Sequence, residues 1–262
     1  DVHLYGQTLE ESMNRAMELA SDEMLYVHPF DDPEIIAGQG TIGLEICDDL
    51  PSPDIIVVPV GGGGLVSGIS VAVKNRVPSC KIIGVQADAC PFAYLSKYGN
   101  DGVRIKNEWT LADGIRVTRP GTHTLPYLRE MVDKIVLVDD GEISDAMLWL
   151  LERKKIVAEG AGATPLAALL SGKFYYPKGS RIVLVISGGN VDSHQLSRVM
   201  RQALAREGRL VRLSFVIEDQ PGSLAEVLAI IAREGGNILK ISHSEWDTDL
   251  PVQEKRIWIE IE

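Results

Sequence analysis

The sequence of 262 residues is 45% hydrophobic and 24% charged, with a formal net charge of −11, which suits one large or two modest domains with real cores. Its 37 acidic against 26 basic residues argue against nucleic acid or an anionic membrane surface as a partner. No apolar run approaches membrane-spanning length, and the N-terminus lacks a signal-peptide pattern.

Asp1-Val2-His3-Leu4-Tyr5-Gly6 reads as the end of a strand, and Thr8 as the cap of a helix over residues 9–20 with Glu10 and Glu11 in its first turn. Leu25-Tyr26-Val27 begins a strand ended by His28-Pro29, Pro33 opens a short turn, and a helix is expected over residues 40–49 before Pro51 and Pro53. The run Asp54 to Val60 is apolar and β-branched, as in a strand buried on both faces, and empties into Gly61-Gly62-Gly63-Gly64. Residues 65–76 then carry helical spacing. Strand, bare glycine loop and helix start together form an anion cradle, because the amides are uncovered and the helix N-terminus adds unpaired donors and partial positive charge. A tight turn without a ligand is the alternative.

Residues 81–86 and 135–138 predict two more buried strands, and the interval 89–131 between them reads as a functional loop region. An amphipathic helix follows over 142–155, where Arg153-Lys154-Lys155 is a solvated face rather than a binding patch. The small residues 158–163 precede a helix over 165–170. Residues 181–186 form a β-branched strand ending in Ser187-Gly188-Gly189-Asn190, followed by a helix over 192–206. Strands alternating with helices imply a parallel sheet, whose ligands bind beyond the carboxyl ends of the strands. Gly61–Gly64 and Ser187–Asn190 should therefore share one rim, which points to a phosphate-bearing small molecule.

After Glu207-Gly208 the pattern changes. Residues 210–218 alternate as a half-exposed strand with Leu213, Phe215 and Ile217 on one face, Asp219-Gln220-Pro221-Gly222 turns the chain, and residues 223–233 form an apolar helix stopped by Gly235-Gly236. Strands over 237–246 and 255–261 complete a β-α-β-β order, half of a ferredoxin-like α+β unit. Cys47, Cys80 and Cys90 lack CxxC spacing and fit reduced thiols of a cytoplasmic protein. No two of the five histidines stand at metal-ligand spacing.

Ala37-Gly38-Gln39-Gly40-Thr41-Ile42-Gly43, Gly61 to Leu65, Leu111-Ala112-Asp113-Gly114, Glu159-Gly160-Ala161-Gly162-Ala163 and Ser187 to Asn190 occur in an order that resembles the pyridoxal-phosphate (PLP) enzymes of the tryptophan-synthase-β fold type, most of all the threonine dehydratases, or threonine ammonia-lyases. Residues 210–262 resemble an ACT regulatory domain, whose turn and helix start match Asp219-Gln220-Pro221-Gly222-Ser223-Leu224. The resemblance implies an α/β, fold-type-II catalytic domain with a parallel sheet, followed by a small α+β ferredoxin-like domain. Residues 1–24 would be a remnant of the small lobe, 25–207 the large PLP-binding domain and 208–262 an incomplete ACT-like domain.

It further implies that Gly61, Gly62, Gly63, Gly64 and Leu65 anchor the PLP phosphate and that the hydroxyl of Ser187 faces the pyridine nitrogen. A hydroxyl leaves the ring a weaker electron sink than a carboxylate would, which favours loss of a β-hydroxyl. Gly114, Glu159, Gly188 and Asn190 would line the cofactor site. For Ser187 and Asn190 helix capping is the plain alternative, for Glu159 a solvated carboxylate, and for Asp113-Gly114 a turn. The family's Schiff-base lysine lies in an S-x-K-x-R type motif that this chain lacks, so the catalytic base is assigned upstream of Asp1. Gln86-Ala87-Asp88-Ala89-Cys90-Pro91 lacks the paired acids of the serine racemase cation site, so no divalent metal is expected. The implied activity is β-elimination of water from L-threonine, giving 2-oxobutanoate and ammonia. Asp219, Pro221, Gly222 and Ser223 are candidates for an amino-acid effector site, unless the ACT-like domain only dimerises, and a homo-oligomer (dimer or tetramer) is expected. Serine dehydration or racemisation, and an inactive amino-acid sensor, are the alternative functions.

Overall fold

Isoleucine and valine dominate the central strands because the sheet they build is covered on both faces. The structure, a computed structural model, describes residues 2–7, 9–21, 23–99, 107–244 and 248–262. It divides into two compact units, Asp1–Asp192 and Ser193–Glu262.

The first unit runs α1 (Leu9–Leu19), α2 (Pro33–Asp49), β1 (Ile55–Pro59), α3 (Gly64–Arg76), β2 (Lys81–Ala87), α4 (Phe92–Tyr98), α5 (Thr124–Glu130), β3 (Lys134–Val138), α6 (Asp140–Trp149), α7 (Gly160–Leu170) and β4 (Ile182–Leu184). The four strands are parallel, in the order β3-β2-β1-β4. Every position of β1 is buried. Ile56, Val58 and Val60 pack with Val66, Ile69 and Val73 of α3 and with Ile82 and Ile135 in one core, each such side chain contributing about 1.5–3 kcal/mol by leaving water. Cys47, Cys80 and Cys90 are buried free thiols. Among the described residues, no helix is long and apolar enough to cross a membrane.

Several elements differ from the expectation for identifiable reasons. No strand forms at residues 25–27: Leu25 and Val27 are exposed, and the pairing nearby among the described residues is an isolated bridge between Ser21 and Met24. β-branched residues make a strand only when a neighbouring strand accepts them. The stretch before Gly6 is likewise not a strand, and the Thr8 cap lies outside the described residues. Pro33 opens α2 rather than a turn, with Asp32 as N-cap accepting from Glu34 N (2.8 Å) and Ile35 N (3.3 Å). Gly40 of α2 faces Gly68 of α3 across a close contact: a Cβ on Gly68 would stand 2.2 Å from Ile36 O and 2.6 Å from Gly40 N.

Similarly, α7 starts at Gly160 and contains Pro165. The carbonyl of Ala161, which Pro165 cannot serve, accepts from Thr164 Oγ1 at 2.9 Å. The interval 89–131, expected as loop, contains α4, a 3-10 turn at Asp113–Ile115 and α5. α6 begins two residues earlier than expected, on a capping box between Asp139 and Glu142, and a π-helical turn, Leu150–Lys154, continues it.

The second unit contains α8 (Ser193–Arg206), β5 (Val211–Glu218), α9 (Ser223–Arg233), β6 (Ile238–His243) and β7 (Glu254–Ile261). Its three strands form an antiparallel sheet, β5-β7-β6, with Ile257 and Ile259 of the middle strand buried. Phe215 and Ile217 are half-buried while Leu213 is exposed. Helix α8 groups with this unit, which spans Ser193–Glu262. Trp246, the expected end of a strand, lies outside the described residues.

Candidate functional site

β1 and β4 are adjacent parallel strands, with Val57 level with Leu184 and Val185 N donating to Val57 O at 3.0 Å. The loops leaving them, Gly61–Gly64 and Ser187–Asn190, therefore emerge on one rim of the sheet.

The first loop is closely wrapped. Gly62, Gly63 and Gly64 are buried and Leu65 is half-buried. Gly63 is the N-cap of α3 at φ +100°, a conformation that side chains strain to adopt. A Cβ on Gly62 would stand 2.3 Å from the Phe30 ring, and one on Gly64 2.9 Å from Phe30 O, so Phe30 closes one side. Among the described residues, none of the amides from Gly61 to Val66 donates to a protein acceptor, whereas Ser67 N donates to Gly63 O at 3.0 Å. These are the orphan donors of a helix start, collected in one turn of bare backbone.

The loop is also held from behind. Thr124, fully buried at the start of α5, donates its Oγ1 to Gly62 O at 2.6 Å, and Gly121 N reaches the same carbonyl at 3.3 Å. The Asp31 carboxylate accepts from Thr122 N (2.8 Å), Thr122 Oγ1 (2.9 Å), His123 N (2.7 Å) and Thr124 N (3.2 Å). Burial pushes the Asp31 carboxyl up, but these hydrogen bonds outweigh it and leave the group below its ordinary range.

The 3-10 turn Asp113–Ile115 links the two loops. Ile115 Cα lies 3.0 Å from where a Cβ on Gly61 would stand, and Glu159 Oε1 lies 3.4 Å from that of Gly114. Glu159 leans over the second loop: a Cβ on Gly188 would come within 2.2 Å of Glu159 Oε1, and Glu159 N donates to Gly188 O at 3.0 Å. Burial raises the Glu159 carboxyl, the backbone N–H of Asn190 draws it down and Asp113 pushes it up, leaving it above the usual carboxylate range. Ser187 and Asn190 are exposed at the rim. Gly162 lets α7 approach them, since a Cβ there would be 2.8 Å from Gly188 N. A cavity of about 410 Å³ opens in the same unit, lined in part by Phe30, Asp31, Asp113, Arg116 and Thr122.

The residues singled out from the sequence thus come together from the glycine loop and the start of α3 (Gly61 to Leu65), the 3-10 turn (Gly114), the N-cap of α7 (Glu159) and the second loop (Ser187, Gly188 and Asn190). Phe30, Asp31, Gly121 and Thr124 were missed. Thr124 and Gly62 are 62 positions apart and Asp31 and Thr122 are 91 apart, with no local pattern announcing either pairing.

In the second unit, Asp219, Pro221, Gly222 and Ser223 form the turn into α9. Gly222 is its N-cap at φ +105° with open space above it. Asp219 is paired with Lys255 at 2.9 Å, and Ser223 N donates to Gln220 O at 3.3 Å.

The family described as "Pyridoxal-phosphate dependent enzyme" matches residues 1–188, and "ACT domain" matches 211–245. The chain is 43% identical over 262 residues to an L-threonine ammonia-lyase of Thermotoga maritima, covering 100% of this chain and 65% of that protein. It is 42% identical over 263 residues to one of Geobacter sulfurreducens, with the same coverage. The processed form of threonine deaminase isoform 2 from Solanum lycopersicum superposes with a TM-score of 0.70 at 39% identity, over 78% of this chain and 56% of that one. This chain spans 65% of the length of the two curated relatives. On the family match, the similarity along its whole length and the shared fold, the chain belongs to the pyridoxal-phosphate dependent enzymes and carries an ACT domain behind the catalytic unit.

Proposed function

We propose that this chain forms the cofactor-phosphate side of an L-threonine ammonia-lyase, a PLP enzyme that eliminates water from L-threonine to give 2-oxobutanoate and ammonia. The observation that carries this reading is the largely buried glycine loop at the end of β1, whose amides have no protein acceptor among the described residues, in a chain similar throughout to L-threonine ammonia-lyases. The residues present suit the group: a loop free of side chains, next to a helix start, offers a phosphate N–H donors and a favourable dipole.

When bound, PLP supplies the electron sink that makes the substrate's α-proton acidic and its β-hydroxyl a leaving group. The amides of Gly61 to Leu65 would hold the phosphate, and the Ser187 hydroxyl would serve the pyridine nitrogen as a neutral partner. Gly114, Gly188 and Asn190 would line the ring's surroundings. Glu159, with its carboxyl raised above the usual range, holds a proton at Oε1 more readily than a surface glutamate would. Phe30, lying against Gly62 and Gly64, excludes water from one side of the cradle. The ACT domain binds an amino-acid effector at the turn formed by Asp219, Pro221, Gly222 and Ser223, and pairs with that of another copy to give a homo-oligomer.

The test is an assay of the full-length protein with added PLP, measuring 2-oxo acids from L-threonine and L-serine, with and without isoleucine and valine. Expected are 2-oxobutanoate from threonine, slower pyruvate from serine, and a rate that an added amino acid changes. Cofactor absorbance without 2-oxobutanoate would refute the reading.

A further inference from the structure

The hydrogen bonds on the carbonyl of Gly62 have a consequence for the face of the loop that meets an anion. A trans peptide is planar, with its C=O and the following N–H pointing to opposite sides. Pinning the Gly62 oxygen to Thr124 Oγ1 at 2.6 Å, with Gly121 N at 3.3 Å, turns the N–H of Gly63 away from α5. Glycine at position 63, with φ at +100°, is otherwise free to rotate. Space adds a second constraint: a Cβ on Gly63 would stand 3.0 Å from both Cβ and Oγ1 of Thr124 and 3.1 Å from Leu128 Cδ1, so the loop rests on α5. Thr124 is itself fixed. Its side chain is fully buried, and its own N–H donates to Asp31 at 3.2 Å.

We infer that Thr124 is a positioning residue: by holding the Gly62 carbonyl it aims the Gly63 N–H, and through it the amide nest, at the cofactor phosphate. Resting on the proposed function of the loop, the inference assigns to a residue 62 positions away the orientation on which phosphate affinity depends. The hydroxyl performs the task and the methyl group only fills space.

Pyridoxal, which lacks the phosphate, separates this role from a general packing role. The experiment titrates the full-length apoprotein with PLP and with pyridoxal, reading absorbance for the two dissociation constants and thermal melting for the fold. Thr124→Val should weaken PLP binding by about tenfold, the scale of one hydrogen bond to a charged group, while pyridoxal affinity stays within about twofold. Thr124→Ser and Thr124→Ala, which differ by the oxygen alone, keep the test open where Val does not fold: Ser should retain the wild-type ratio and Ala should lose it. An unchanged PLP-to-pyridoxal ratio in Val and Ala, or an equal loss for both ligands, overturns the role of Thr124. The ratio lost in Gly63→Ala but kept in Thr124→Val overturns it too, leaving the loop as the cradle. Wild-type protein that binds both ligands equally overturns the cradle as well.

Discussion

Asp31 shows how much of the site depends on single side chains that touch no reacting atom. Its carboxylate serves three backbone N–H groups and one hydroxyl at the start of α5, the helix whose Thr124 holds the glycine loop. The hydrogen bonds depress its native ionisation below the unfolded value of about 3.9, so the stabilisation is complete above that pH and fades as the pH falls through the native value. Replacing Asp31 by Ala should cost about 1–2 kcal/mol at pH 7, as the loss of a good helix cap does. In chemical denaturation from pH 7 down to 2 the gap to wild type should close only below about pH 4. A gap independent of pH would show that the carboxylate's charge is not what holds the turn.

Between elements, glycine acts by its absence of a side chain more than by its freedom to turn. Gly68 meets the backbone of α2 at Ile36 and Gly40, and Gly43 meets Ile69 and Ala72 of α3, so α2 and α3 touch backbone to backbone. Gly68→Ala must push two main chains apart, and about 3 kcal/mol of destabilisation is expected, read as a drop in melting temperature. Gly38→Ala, in α2 with nothing near its Cβ position, serves as a control for the intrinsic effect of replacing a helical glycine. Equal effects at both positions would contradict the close packing of the two helices. This packing also explains what the sequence concealed. The motif from Ala37 to Gly43 is recognisable as a family feature, yet Pro33 reads as the opening of a short turn and the helix is expected only from Gly40, whereas α2 starts at Pro33. Tertiary contact overrode propensity. Pro165 misled in the same way, because Thr164 supplies the hydrogen bond that the proline cannot. By contrast α9 and β1 to β3 were legible almost to the residue, since an apolar run between turn residues leaves few alternatives.

Across the whole molecule, the alternation of strands and helices was sufficient to foresee a parallel sheet and a second, smaller α+β unit. It also foresaw that Gly61–Gly64 and Ser187–Asn190 would share a rim. The pattern could not reveal the supports of that rim, since Asp31, Gly121 and Thr124 act across long separations in sequence. Nor does the spacing of α8, an amphipathic helix, say which unit it covers.

The most direct measurement is a crystal structure of the full-length protein with PLP bound. The account predicts phosphate oxygens within hydrogen-bond reach, roughly 2.7–3.2 Å, of the amides in the stretch Gly61 to Leu65, with the Gly62 carbonyl still on Thr124. A phosphate seated elsewhere, with those amides bonded to protein or left bare, would contradict it.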